Sequence, residues 1–600
     1  MILKRHLSAV RRFTSIFLQS DALEFRREVY RRAFLLCQIL TTSFTLTACN
    51  VFTFDFAARS NTATNCASAD DRLLFNERVE KKEYAGSKYK KTFVGVAIAG
   101  GGSRAANFTL ATLWELEQAG LLPPETVISS VSGGSLTAAY YALHRNDEDW
   151  TLQNPNIKKH FRSDLQSKWV GGWLLPQNIF YYWLTPYDRS DIMKDVLDHF
   201  LRGPQIPPDG NNIVIPLSLR RGFEHRIPFS EIPPNGPNRN SGLSRLFLNA
   251  TMLDGRSFVF TNEVFHDLGS SLSDYPLADA VMASGAFPGG FNCVTLQQYD
   301  GPFKSKTPKS RQKILPFRYA PDDNVENIPE NLPHHPYDDP KYRKEGKETK
   351  NAYVHLMDGG ASDNLGVRTL LRTIHERKNS EQYDQCVLFL IDSYQDPLDI
   401  KWSRQARALA TFNKDPRLFA DYLVDSNAMT TFDTLLTNNR ENVIRALNYP
   451  RKDVGDLPLW DTQEIEIAGG LNCKIWHISF QRLSYLANDK TNDMNQTERK
   501  RLKCISRIAN ETVTAYRLDS PGIHDTELLQ QNLFNAAHKL IAQDKTPAPE
   551  IGSRCTKEGA PCFVKDILAD QYEKWGIEVK PDILSRAYPL SNICENIEKY

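Results

Sequence analysis

Thr126-Val127-Ile128-Ser129-Ser130-Val131-Ser132-Gly133-Gly134-Ser135-Leu136-Thr137-Ala138-Ala139-Tyr140-Tyr141-Ala142-Leu143 passes from a short apolar run, through a corner of small residues, into a stretch of alanines and aromatics. The first part reads as a buried strand and the last as a helix. Ser132 stands at the turn between them, where its hydroxyl is lifted above the sheet edge. The amide of Gly133 then points out of a helix N-terminus, which favours negative charge developing on an attacked carbonyl. Ordinary loops are also built from serine and glycine, so this corner alone does not identify a nucleophile.

Two further stretches complete the pattern. Phe93-Val94-Gly95-Val96-Ala97-Ile98-Ala99 is strand-like and runs into Gly100-Gly101-Gly102-Ser103-Arg104, followed by a helix to about Gly120. Such a loop can cradle a nucleotide phosphate, but a P-loop needs Gly-Lys-Ser/Thr and the dinucleotide fingerprint needs glycine where Ala105 stands. Bare amides beside an exposed serine suit an oxyanion hole, whose donors contribute about 3–4 kcal/mol to a transition state. The second stretch is Ala352-Tyr353-Val354-His355-Leu356-Met357 followed by Asp358-Gly359-Gly360, an aspartate at a strand end where backbone can pass close by. Asp-Gly-Gly is common turn chemistry, yet a carboxylate so placed can serve as general base for a serine.

Taken together, the three stretches resemble the patatin-like phospholipase family, in its bacterial lipoprotein type, over roughly residues 93–395. Asn249-Ala250-Thr251 with Gly255-Arg256-Ser257-Phe258-Val259-Phe260, and Ala280-Val281-Met282-Ala283-Ser284-Gly285-Ala286-Phe287-Pro288, add to the likeness. One departure is Ser130, which stands where the family's Gly-x-Ser-x-Gly has its first glycine. The resemblance implies a three-layer α/β/α fold with a mainly parallel central sheet. It implies a serine acyl hydrolase of phospholipase A or lysophospholipase type, with a phospholipid or other acyl ester as substrate. Ser132 would be the nucleophile, Asp358 its base, and the amides of Gly101, Gly102 and Gly133 the oxyanion hole. This chemistry needs no metal and no cofactor. The Gly-Gly-Gly-x-Arg form is similar to that of cytosolic group IV phospholipases, whose arginine is associated with the substrate phosphate, a role that would fall to Arg104.

Two other readings fit the residues. A Ser-Asp-His hydrolase would use Ser132, then Asp358 or Asp392, then His524 or His477, in the chain order of the α/β-hydrolase fold. A lipid-binding envelope lipoprotein would keep the fold without the catalysis.

A hydrophobic fraction of 41% supports a large core, and a net charge of +1 offers nucleic acid no electrostatic partner. At the N-terminus, Arg26, Arg27, Arg31 and Arg32 precede the apolar run Ala33–Leu40 and then Leu46-Thr47-Ala48-Cys49. That order reads as a secretory signal over residues 1–48, since the apolar run is short of the roughly 20 residues of a membrane span. Leu46-Thr47-Ala48-Cys49 resembles a bacterial lipobox, which implies export, lipidation at Cys49 and, with Asn50 following, an outer-membrane anchor.

Residues 49–91 read as a tether and 92–395 as the catalytic domain. Two irregular insertions interrupt it, at 203–240 and 300–350, the second holding Pro302, Pro308, Pro316, Pro321, Pro329, Pro333, Pro336 and Pro340. Residues 396–600 read as a helical extension with a β-hairpin, Ile465–Ala468 and Lys474–Phe480, that completes the fold. The aromatic stretch around Trp169, Trp173, Phe180, Tyr181, Tyr182 and Trp183 reads as core packing rather than lipid docking. Beyond Cys49 lie eight cysteines, enough for disulfides in an exported chain. Cys555 and Cys562 form the nearest local pair, while Cys386, opening an apolar strand, reads equally as a buried thiol.

Overall fold

The computed structural model describes, with short interruptions, residues 92–204, 226–232, 245–298, 352–394, 435–447, 452–488, 495–542 and Cys594. The signal, tether and Cys49 readings, most of both insertions, residues 180–183 and the Cys555–Cys562 pair lie outside the described residues. The chain divides into two units, Met1–Ala57 with Leu174–Asp188, and Ala58–Trp173 with Arg189–Tyr600. The first falls almost wholly outside the described residues, and the fold that follows is that of the second.

In chain order the elements are β1 (Thr92–Ile98), α1 (Gly102–Gln118), β2 (Val127–Val131), α2 (Gly133–His144), α3 (Pro155–Phe161), α4 (Leu165–Trp173), α5 (Arg189–Leu201), β3 (Arg245–Met252) and β4 (Ser257–Val259). There follow α6 (Asn262–Asp267), α7 (Leu277–Ser284), β5 (Val294–Gln298), β6 (Ala352–Asp358), α8 (Gly360–Asp363), α9 (Val367–Glu381) and β7 (Gln385–Asp392). A small ribbon of β8 (Lys452–Val454) and β9 (Leu457–Leu459) precedes β10 (Gln463–Ile467) and β11 (Leu471–Ser479). Three helices close the described chain: α10 (Phe480–Asn488), α11 (Gln496–Glu511) and α12 (Thr526–Ala542).

Nine strands form one sheet in the order β10-β11-β7-β1-β2-β3-β6-β5, with β4 paired to β3. The centre, from β11 to β3, is parallel; β10, β6, β5 and β4 pair antiparallel. Along β1, Val94, Val96 and Ile98 enter one core while Phe93 and Ala97 enter another. β7 repeats the alternation, with Val387, Phe389 and Ile391 on one side and Cys386, Leu388 and Leu390 on the other. Both faces are therefore covered, which is why these strands read as unbroken apolar runs. The larger core holds residues of α1, α2, α7, α10, α11 and α12; the smaller holds residues of α9 and Val443, Ile444 and Leu447. Fully burying each such side chain contributes about 1.5–3 kcal/mol. This is the three-layer α/β/α arrangement with a mainly parallel sheet.

The expected hairpin is present as β10 and β11, but β11 also lies parallel to β7 and extends the sheet. There Cys386 is no buried thiol: it is disulfide-bonded to Cys473, its register partner on β11. A second disulfide joins Cys504 of α11 to Cys594. Trp169 meets Trp173 at 4.8 Å and Phe291 at 4.5 Å, a partly buried aromatic contact against the core. Among the described residues no helix is long and apolar enough to cross a membrane.

Candidate active site

Register brings the key side chains to one level of the sheet. Val131, the last residue of β2, pairs with Asn249 on β3, and the next residue of β3, Ala250, pairs with Asp358, the last of β6. The residue after Val131 is Ser132. It has φ 50° and ψ −124°, the one non-glycine in the left-handed region among the described residues. A conformation of that kind costs roughly 1–3 kcal/mol and persists only where its surroundings enforce it.

Ser284, at the end of α7, is the main enforcer. The Ser132 N–H donates to Ser284 Oγ (2.9 Å), and Ser284 Oγ donates to the Asn249 carbonyl (2.6 Å). With the Ser284 proton so committed, Ser135 Oγ, 2.8 Å away, must be the donor in its contact with Ser284. Ser130, the departure from the glycine pattern, is wholly buried, with its hydroxyl 3.0 Å from Ser135 Oγ and 3.3 Å from the Phe247 carbonyl. The same loop holds the aspartate strand: Asp358 N–H donates to Ala286 O and Gly359 N–H to Ser284 O, each at 3.0 Å. Asn249 donates to Ser129 Oγ and Ser130 O, each at 2.9 Å, tying β3 to the strand that ends in the elbow.

Ser132 is half-buried, and its hydroxyl favours the charged form of the Asp358 carboxyl. Gly360 N–H donates to Asp358 Oδ1 at 2.8 Å. Burial pushes the Asp358 carboxyl up to about 6, against the opposing pull of the Gly360 amide and the Ser132 hydroxyl. The carboxyl is thus ionised at neutral pH yet a much stronger base than an exposed aspartate.

The glycine loop meets the elbow directly. A Cβ on Gly100 would lie 3.2 Å from Ser132 Cβ, and one on Gly133 would overlap the backbone of Gly102. Gly101, at φ 141°, caps α1 without any side-chain hydrogen bond, and Gly102 opens the helix at φ 58°. The amides of Gly102 and Gly133 are first-turn amides, which the preceding turn cannot satisfy.

The remaining expected residues fall elsewhere. Arg104 is buried, and its Nη1 donates to the Thr512 carbonyl (2.8 Å), so the guanidinium is turned to the C-terminal segment. Asp392 is held by Arg440, whose Nε is 2.9 Å from it, and by His477 Nε2, also at 2.9 Å. Burial would raise the Asp392 carboxyl, but Arg440 and His477 outweigh it and hold it below the ordinary carboxylate range. His477 is therefore occupied with Asp392, while His524 is exposed, 3.9 Å from Asp519. Neither histidine is paired with Asp358. Three contributors escaped the sequence reading. Ser284 and Gly285 lay inside a quoted run without a role, and Tyr516, whose hydroxyl meets Gly285 beside Ser132, carries no sequence signal at all.

Human GIVD cytosolic phospholipase A2 in complex with methyl gamma-linolenyl fluorophosphonate and terbium chloride aligns with TM-score 0.36 and 12% identity, covering 74% of this chain and 56% of that one. Another structure, of human GIVD cytosolic phospholipase A2, aligns with TM-score 0.35 and 11% identity over 74% of this chain and 60% of that one. The chain thus spans less than two thirds of the length of those structures. No curated protein sequence matches it. The family model described as patatin-like phospholipase matches residues 96–371, a span that holds the glycine loop, the Ser132 elbow and Asp358. Residues 96–371 of this chain are a patatin-like phospholipase domain.

Proposed function

We propose that this protein hydrolyses carboxylic esters of lipids, phospholipids foremost, through a Ser132–Asp358 dyad. The observation that carries the reading is a serine held at a left-handed elbow, brought by strand register to the level of a buried, basic carboxyl. Asp358 accepts the Ser132 proton as Oγ attacks the ester carbonyl. The developing oxyanion is received by the amides of Gly101, Gly102 and Gly133, each such donor supporting roughly 10²–10³ in rate. Collapse breaks the ester bond, the alcohol leaves with the proton from Asp358, and an acyl-serine remains. Water attacks that acyl group, gives its proton to Asp358, and the fatty acid departs as Ser132 regains its hydrogen. Arg104 is the residue for a headgroup phosphate, which requires Thr512 to release it first.

The protein acts at a membrane to which a lipidated Cys49 attaches it after export, in a bacterial outer membrane. Two disulfides support the export part, since cytosolic thiols stay reduced. Mass spectrometry of the mature N-terminus checks it, an unlipidated chain beginning elsewhere being the contrary result.

For the reaction, a fluorophosphonate probe should label the wild-type protein and leave Ser132→Ala unlabelled. Lipid hydrolysis should fall at least about 10³-fold in the variant. A wild type that neither labels nor cleaves any lipid ester would make the fold a binding module.

A further inference from the structure

Between α11 and α12 the chain crosses the glycine loop. Ser103 N–H donates to Ala515 O (2.6 Å), while the N–H groups of Leu165 and Gln166 both donate to Tyr516 O (3.1 Å each). Arg104 holds the start of the segment through Thr512 O. The Tyr516 ring stands edge-on to Phe291, centroids 5.7 Å apart, and its O–H donates to Gly285 O at 3.1 Å. A Cβ on Gly285 would overlap that phenol oxygen and lie 3.6 Å from Ser132 Oγ, so the two oxygens are neighbours over this glycine. A phenol has one proton, here on Gly285, and a serine hydroxyl has one as well, so Ser132 can give its own to the Tyr516 oxygen or to the Asp358 carboxylate but not to both. Ser132 Oγ therefore sits between two oxygens, those of Asp358 and Tyr516.

Gly285 makes the approach possible. A Cβ there would overlap the Tyr516 hydroxyl, although the glycine's φ of −113° suits any residue. The glycine is required by the tyrosine and not by the backbone.

We propose that Tyr516 is a positioning residue for the hydrolysis, its hydroxyl fixing Ser132 Oγ in the orientation that faces Asp358, so that a segment beyond residue 371 completes the site. The inference rests on the serine–aspartate reading given above. Once the Ser132 hydrogen turns to the carboxylate, the Tyr516 O–H can swing from Gly285 to the Ser132 oxygen and keep it in place. The phenol keeps its proton throughout. Burial and, after it, the Asp358 charge both raise the Tyr516 hydroxyl above its ordinary range.

The test compares wild type, Tyr516→Phe, Gly285→Ala and the double variant. Readouts are the fluorophosphonate labelling rate, kcat and KM on a p-nitrophenyl acyl ester, and melting temperature. Tyr516→Phe keeps the ring, so labelling and kcat should drop about tenfold with KM within about twofold and melting unchanged. Gly285→Ala should lose at least as much, because its methyl displaces the hydroxyl. Adding Tyr516→Phe to it should restore activity to the Tyr516→Phe level, since the vacated space accepts the methyl. Wild-type rates in Tyr516→Phe, or losses that multiply in the double variant, would overturn the proposal, as would a loss that only follows melting. A wild type inert to probe and ester would instead remove the hydrolase reading itself.

Discussion

Asp358 is a buried acid whose charged form is disfavoured by the fold and needed by the proposed reaction. Burial pushes its carboxyl from an ordinary 3.8 up to about 6, outweighing the Gly360 amide and the Ser132 hydroxyl. Esterase kcat/KM should therefore fall about tenfold per pH unit below roughly 6, as the base takes up a proton. Stability runs the other way. The native state binds more protons than the unfolded chain between about pH 4 and 6, so stability drops as pH rises through that window. Asp358→Asn should then be inactive yet more stable than wild type at pH 7.5, by about 2–3 kcal/mol, with the gain fading toward pH 4. Urea unfolding at the two pH values measures this, and an equal difference at both would contradict a raised carboxyl.

At the scale of elements, the turn after α7 joins the elbow to the aspartate strand. Ser284→Ala deprives the buried Ser132 N–H of its acceptor and the Asn249 carbonyl of its donor. It should cost about 1–3 kcal/mol of stability and lower kcat more than KM, read by urea unfolding and ester kinetics. Unchanged kcat would mean that the elbow holds its shape without Ser284. Such hydroxyl pairings were invisible in the sequence for a physical reason. Strand-corner-helix at Ser132 and the strand before Asp358 announce themselves through local periodicity and glycine spacing. Nothing local tells Ser284 that Asn249 and Ser132 are its neighbours; the register of β2, β3 and β6 does. Arg104 is the same lesson reversed, because its place in the glycine loop was legible and its Thr512 partner was not. Tyr516 is the extreme case, a lone tyrosine whose meaning is wholly tertiary.

For the molecule as a whole, the residues after 371 are part of the same sheet and pack on the glycine loop. β7 and β11 extend the parallel sheet, and the Cys386–Cys473 bond ties them across a sequence separation of 87 residues. Cys473→Ser should lower stability by about 2–5 kcal/mol, chiefly by freeing the unfolded chain, and reductant should destabilise wild type similarly. A fold whose urea midpoint ignores both would contradict the pairing. The hairpin of β10 and β11 was readable from its alternating residues, whereas its docking on β7 was not, since parallel neighbours share no turn. Synthesis proceeds from the N-terminus, so Ser132 and Asp358 leave the ribosome long before Tyr516. Until then Ser132 lacks its neighbouring phenol, and Ser103 and Arg104 lack the carbonyls of Ala515 and Thr512. If Tyr516 positions the proposed nucleophile, the unfinished polypeptide is a poor lipid hydrolase, and the cell that makes it is spared a lipid-cleaving activity among its own nascent chains.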